Sequence, residues 1–224
     1  MSYRLFSDAV NSAGERVRIA LVLKGIEYEY VSVKAFGLEA YTRLNPQGLK
    51  PALQIGDAII PQSTAILEYL EETHPTPSLL PSDPMRRAQA RGFAQHIASE
   101  MHAIDVIRVR RFLKHGLGVG ADGIDHWQRH WFATGFKALE ALLAQRPEPW
   151  PFCYGETPGW ADLHLVPQMR KGLTRFGITT DDYPLLSGVF QNCVEMPSFV
   201  AAAPESQPDW PGQIIEPDID GVGS

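Results

Sequence analysis

The stretch PQSTAILEYLEETHPTPSLLP, residues 61–81, separates two differently patterned parts of the chain. Ser63 is of the residue type that caps a helix, its hydroxyl accepting from the free N–H groups of the first turn. Behind it, TAILEYLEET puts Ile66, Tyr69 and Leu70 on one face at helical spacing and leaves Glu68, Glu71 and Glu72 outside. Residues 74–84, HPTPSLLPSDP, then carry four prolines and read as a linker.

Upstream of that helix, strand and helix signals alternate. Residues 4–7 suit a short strand, and 16–24 a helix closed by Gly25. EYEYVSV, 27–33, is rich in β-branched and aromatic residues and reads as a second strand. Residues 38–44 are weakly helical, and PALQI, the turn Gly56-Asp57 and AIIP form a hairpin. The order β-α-β-α-β-β-α implies a mixed sheet with helices around it. From Met85 on, strand-like alternation is nearly absent, and Trp131, Gly135, Ala138, Leu139 and Leu142 share a spacing that faces a helical core. GWADLHLVPQM suggests another buried helix, with Asp162 three positions after Gly159 at its N-cap. The expected domains are 1–80, a linker at 81–84, a helical domain at 85–206 and an irregular tail at 207–224.

A chain of 224 residues with 44% hydrophobic and 21% charged residues fits a globular protein with a real core. A net charge of -6 argues against a general nucleic-acid role. Two cysteines, Cys153 and Cys193, are too few for a disulfide framework or a zinc knuckle, so no metal is expected and a reducing compartment is. The opening MSYRLFSDAV lacks the basic and apolar regions of a signal peptide, and no apolar run reaches the roughly 20 residues that span a bilayer. The expectation is a cytoplasmic protein with no membrane partner.

RVRIALVLKGIEYE, LNPQGLKPAL, PQSTAILEYLEETHPTPSLLP and YGETPGWADLHLVPQ together resemble the glutathione transferases, and most of all their zeta class. The resemblance runs from about residue 3 to about residue 200. It implies a thioredoxin-like first domain with a mixed four-stranded sheet, a C-terminal helical bundle, glutathione as cofactor and a homodimer. In LKPAL it implies a cis-proline at Pro51, with the backbone of Lys50 open to pair with the cysteinyl part of glutathione as an added strand would. It places Gln62 and Ser63 at a helix start, where free N–H groups suit the γ-glutamyl carboxylate; a plain cap by Ser63 is the simpler reading of the same residue.

The zeta class carries Ser-Ser-Cys ahead of the first helix. Aligned on RVRIAL, this chain has Asn11, Ser12 and Ala13 there, so the first serine is an amide and the cysteine is gone. A free thiol titrates near 8.5, and lowering it by about two units corresponds to roughly 2.7 kcal/mol. Hydrogen-bond donors at the positive end of a helix supply energy of that order. Ser12 and Asn11 are therefore the candidate catalytic residues, with the N–H groups of Ala13 or Gly14 as further donors. Either side chain could instead merely cap the helix.

The resemblance implies thiolate addition to a cis double bond conjugated to a carbonyl, rotation about the resulting single bond, and elimination to the trans product. A substrate with carboxylates needs cations, and EMHAIDVIRVRRFL offers His102 and Arg108, matched positions of the maleylpyruvate isomerase branch; Arg175 in TRFGITTDDYP matches a second arginine of that branch. The run of Arg108, Arg110 and Arg111 reads equally as a solvated helix face, and His102 as a structural or hydrogen-bonding residue. Asp105, also placed in the glutathione site, and Val106 stand where the branch has tandem asparagines, which removes amide donors and adds a negative charge. An arginine near the first strand has no counterpart in SDAV, and the segment between Val33 and Asn45 is short and lacks a histidine found in relatives. The leading expectation is a glutathione-dependent cis–trans isomerase of the maleylacetoacetate or maleylpyruvate type in aromatic catabolism, acting on a small anionic or electrophilic substrate. A transferase or dehalogenase that consumes glutathione is the second reading, and a non-catalytic glutathione-binding protein the third.

Overall fold

The structure, a computed structural model, describes residues 2–214 and 219–220. They divide into two compact units, 2–79 with 194–214, and 80–193 with 219–220.

In the first unit β1 (Tyr3–Ser7) leads to α1 (Ser12–Leu23), β2 (Glu29–Ser32), α2 (Val33–Phe36), α3 (Leu38–Leu44), β3 (Ala52–Ile55), β4 (Ala58–Pro61) and α4 (Ser63–Thr73). The sheet order is β2-β1-β3-β4, with β1 parallel to β2 and antiparallel to β3, and β3 antiparallel to β4. This is the mixed four-stranded sheet that the sequence pattern predicts. Successive residues of a strand face opposite sides, and both Leu5 and Phe6 of β1 are fully buried, so the sheet is covered on both faces. Phe6 packs with Val33, Tyr41 and Ala52 on one of them. Gly25 ends α1 at a φ of +63, which a glycine adopts without a Cβ clash.

Two side chains depart from their expected places. Glu71 is buried rather than outside: its carboxylate takes the Lys24 ammonium at 2.8 Å, the Ser78 hydroxyl at 2.6 Å and the Leu79 N–H. The Lys24 amine is itself wholly buried and needs that charge. Ser63, for its part, is the first helical residue rather than the cap. Gln62 holds the cap position with φ +70 and ψ 120 and gives no side-chain capping bond.

The second unit holds α5 (Pro84–Gln95), α6 (Ala103–Asp105), α7 (Ile107–Arg111), α8 (Ala121–Ala144), α9 (Trp160–Arg175) and α10 (Pro184–Val194), whose last residue falls in the first unit. Widened π-helical turns, His96–His102 and Phe112–Gly116, interrupt the run from α5 to α8. The buried face of α8 is Ile124, Gln128, Phe132, Gly135, Phe136, Leu139 and Leu143. Gly135 and Leu139 were expected there, but Trp131 and Ala138 are only half-buried and Leu142 is exposed. Phe132 and Phe136, their rings 5.8 Å apart, are buried beside Gly135 and Leu139 in place of Trp131 and Ala138. Among the described residues no helix is long and apolar enough to cross a membrane.

The chain then returns to the first unit. The sequence pattern carries the helical domain to residue 206, but α11 (Pro197–Ala202) packs on α1, and the Arg18 guanidinium donates to the Ala202 carbonyl at 2.8 Å. Residues 207–214 lack helix and strand, and Asp209 ties them to β2 and the turn after β1 by accepting from Tyr30 Oη at 2.8 Å and from the Ala9 N–H at 3.2 Å. The rest of the expected tail, 215–218 and 221–224, lies outside the described residues.

Candidate active site

The first unit offers two places for an anion. The turn from β1 into α1 is held from behind by Arg18, which is fully buried on α1. Its guanidinium donates to the carbonyls of Asp8 at 3.2 Å and Ala9 at 3.1 Å and to Ser7 Oγ at 3.4 Å. Asp8 in turn accepts from Ser32 Oγ and the Lys34 N–H, both at 3.0 Å, and pairs with the Lys50 ammonium. Gly14 lies so close to the strand that a Cβ there would stand 1.9 Å from Ser7 Oγ. The turn through residues 8–11 and the first turn of α1 are thus fixed by a dense set of bonds.

On this support the structure divides the roles expected of Asn11 and Ser12. Asn11 is the N-cap of α1, and its carboxamide oxygen accepts from the Gly14 N–H. Gly14 is therefore lost as a donor to sulfur. The Asn11 NH2, the Ser12 hydroxyl and the N–H groups of Ser12 and Ala13 have no hydrogen-bond partner among the described residues. Asn11 and Ser12 are both half-buried. Four donors without a partner among the described residues thus lie at the positive end of a helix of 12 residues.

The second place is the start of α4. Ser63 is buried, and its hydroxyl oxygen accepts from Arg16 Nη1 at 3.5 Å. The cap residue Gln62 donates its amide N–H to Gln47 Oε1 at 2.6 Å, and among the described residues no side chain caps the first turn of α4. A non-glycine residue at positive φ is costly and clusters at functional sites. Nearby in the same unit the Lys50–Pro51 peptide is cis, as expected, and the backbone N–H and C=O of Lys50 make no hydrogen bond among the described residues.

The second unit gathers charge around Asp105, which is 1% exposed. Its carboxylate accepts from Gln128 Nε2 and the Lys171 ammonium, with Arg110 Nε at 4.0 Å. Burial pulls the Lys171 amine down to about 8 against the opposing pull of Asp105, and Arg175 adds to the lowering. Burial likewise brings Arg175 to about 10. Lys171 also lies over the rings of Phe132 and Phe176, and Arg175 over Phe176. The negative charge that Asp105 adds to this segment is therefore cancelled locally by Lys171, a residue the sequence pattern did not single out. The structure brings Arg175 into the electrostatic environment of Asp105 and Arg110, while Arg108 is exposed on α7. His102 is half-buried at the end of the first π-helical turn. Asp105 is committed to the cations around it.

Lys171 makes this cluster sensitive to pH. Below about 8 the amine is charged and the cluster carries its full positive charge; above that value one charge is lost. With this cluster as the anion site for a substrate, the KM of an anionic substrate should rise with pH through about 8 while that of a neutral electrophile shows no such step. Lys171→Arg should remove the step, since a guanidinium stays charged throughout, and KM–pH profiles of the two proteins check it.

Residues 6–78 match the family model for the glutathione S-transferase N-terminal domain. A maleylpyruvate isomerase of Ralstonia sp is 40% identical over 210 residues, 92% of this chain and 99% of that one. This chain belongs to the zeta class of the glutathione transferases. Among solved structures, the holo form of a maleylpyruvate isomerase described as a bacterial zeta-class enzyme superposes with a TM-score of 0.86 at 39% identity, covering 92% of this chain and 99% of that one. The maleylacetoacetate isomerase of Anaeromyxobacter dehalogenans, solved with glutathione in its active site, gives 0.83 at 36% identity, over 94% and 98%.

The zeta-class cofactor fits the residues that are present. The open donors at the head of α1 suit a thiolate, the open backbone of Lys50 suits an extended peptide, and the uncapped start of α4 suits a carboxylate. The two cysteines are no substitute nucleophiles. Both are free and buried, and burial pushes both thiols far up.

Proposed function

We propose that this protein is a glutathione-dependent cis–trans isomerase of the maleylpyruvate and maleylacetoacetate type, working in the breakdown of aromatic compounds. Bound glutathione supplies a thiolate that adds reversibly to a conjugated cis double bond and is regenerated when the trans product leaves. The observation that carries the reading is the donor set at the head of α1: Ser12 Oγ, Asn11 Nδ2 and two uncommitted N–H groups, on a turn that Arg18 pins.

In this reading Ser12 and Asn11 hold the thiol proton-free by donating to sulfur, and Ala13 adds its N–H. Lys50 pairs through its backbone beside Pro51, and Gln62 and Ser63 present the α4 N-terminus to the γ-glutamyl carboxylate. Arg175 and Arg108 serve the substrate carboxylates, His102 supports them by hydrogen bonding, and Asp105 keeps Lys171 in place. The protein works in the cytoplasm as a homodimer; buried reduced cysteines support the compartment, and membership of the class supports the dimer.

The exchange of amide donors for the Asp105–Lys171 pair favours a second reading, a transferase or dehalogenase with a differently charged substrate. Product analysis separates the two. With maleylpyruvate or maleylacetoacetate in large excess over glutathione, the isomerase converts all the substrate and leaves the thiol titre unchanged. Loss of one thiol per turnover contradicts it and supports the transferase; no turnover despite binding supports a non-catalytic protein.

A further inference from the structure

Arg16 and Arg18 lie two residues apart on α1, and both are buried, at 1% and 0% exposure. Arg18 is bonded all round to Ala202, Ser7, Asp8 and Ala9. That is how this fold treats an arginine with a structural task. Arg16 is treated differently. Nη1 reaches Ser63 Oγ at 3.5 Å, while Nε and Nη2 are buried with no hydrogen-bond partner. Burial draws the guanidinium down to about 10, offset in part by the field of the adjacent Glu15. A buried charge left with so few bonds is unfavourable unless something else compensates it.

The compensation has a place. Arg16 donates to the oxygen of Ser63, so the Ser63 hydroxyl proton is free to point away, toward an acceptor at the start of α4. The N–H groups of that first turn are open to the same acceptor, and the field of Arg16 stands behind them. Nε and Nη2 are shut off from solvent, so Arg16 acts through Ser63 instead of touching a ligand.

We propose that Arg16 is a positioning residue that sets the affinity of this site for the α-carboxylate of the γ-glutamyl group, by orienting the Ser63 hydroxyl and by its buried charge. The proposal rests on the glutathione reading above and adds a residue to it.

Calorimetric titration of the full-length protein with two ligands tests it. One is glutathione; the other is γ-aminobutyryl-cysteinylglycine, the same tripeptide without the α-carboxylate. Charge-assisted hydrogen bonds of ordinary strength make glutathione about 10- to 100-fold the tighter ligand of the unaltered protein. In Arg16→Met that ratio should fall to about threefold or less, because the affinity for glutathione drops and that for the analogue holds. Arg16→Lys keeps the charge but loses the fork; its ratio should be intermediate, and it serves if the methionine variant does not fold. An undiminished ratio in the variants, even with both affinities lowered equally, overturns the proposal and gives Arg16 a structural role only. Failure of the unaltered protein to bind glutathione overturns the isomerase reading itself, and this proposal with it.

Discussion

Replacing both side-chain donors at the head of α1, Asn11→Ala with Ser12→Ala, should lower kcat by about 10²- to 10³-fold, the usual consequence of removing a preorganised donor from a developing or resident negative charge. Ser12→Ala alone should account for most of the loss. Its hydroxyl makes no bond inside the described structure, so the variant removes a donor without unsettling the fold. Asn11 has two tasks, since its oxygen caps Gly14 while its NH2 makes no bond among the described residues. Alanine there also costs about 1 kcal/mol of stability through the lost cap. Asn11→Asp separates the tasks. It keeps the capping acceptor and sets a negative charge against the thiolate, so it should remain as stable as the unaltered protein yet turn over more slowly. Steady-state kinetics beside thermal melting checks both. Full activity in each single variant would mean that sulfur is held elsewhere.

The second large effect is on stability. Asp162 is 2% exposed and accepts from two backbone N–H groups, Cys153 at 2.9 Å and Gly159 at 2.8 Å. Burial raises its carboxyl pKa while those bonds pull it down. Asp162→Ala orphans the buried Cys153 N–H, at about 1–3 kcal/mol, and also breaks the half-buried Gly159 bond, so a loss of about 2–4 kcal/mol is expected. That is a large part of the 5–15 kcal/mol typical of a whole domain. Asp162→Asn should fall between, because a carboxamide has one oxygen for two donors. Urea unfolding followed by tryptophan fluorescence, with Trp160 at the start of the same helix, measures both; a midpoint unmoved by Asp162→Ala would contradict the account.

Asp162 also shows what a sequence yields and what it withholds. Its spacing from Gly159 marked a helix start, and the structure has that bond. The spacing could not show that the other oxygen holds Cys153 and closes the loop before the helix. Local patterns were legible throughout: the hairpin around Gly56-Asp57, the cis peptide before Pro51 in a family string, the helix after Gln62. Long-range pairing was not. Arg16-Val17-Arg18 looks like an ordinary charged helix segment, but packing against α4 and α11 buries both arginines. Lys171 meets Asp105 across 66 residues, so the negative charge that seemed misplaced against an anionic substrate has a partner no spacing rule reaches. Glu71 looked like one more solvent glutamate because Lys24, its reason for being inside, lies 47 residues earlier. On α8, Gly135 and Leu139 are buried as expected while Phe132 and Phe136 take the places given to Trp131 and Ala138, a fraction of a turn that periodicity alone does not resolve.

Everything functional in this account depends on a thiol losing its proton at the start of α1. The direct measurement is the ultraviolet absorbance of thiolate in the glutathione complex, titrated against pH and compared with glutathione alone. The bound thiol should ionise about two units below its solution value near 8.5, and the paired Asn11→Ala and Ser12→Ala substitutions should return it toward that value. A bound thiol that titrates where free glutathione does would contradict the account.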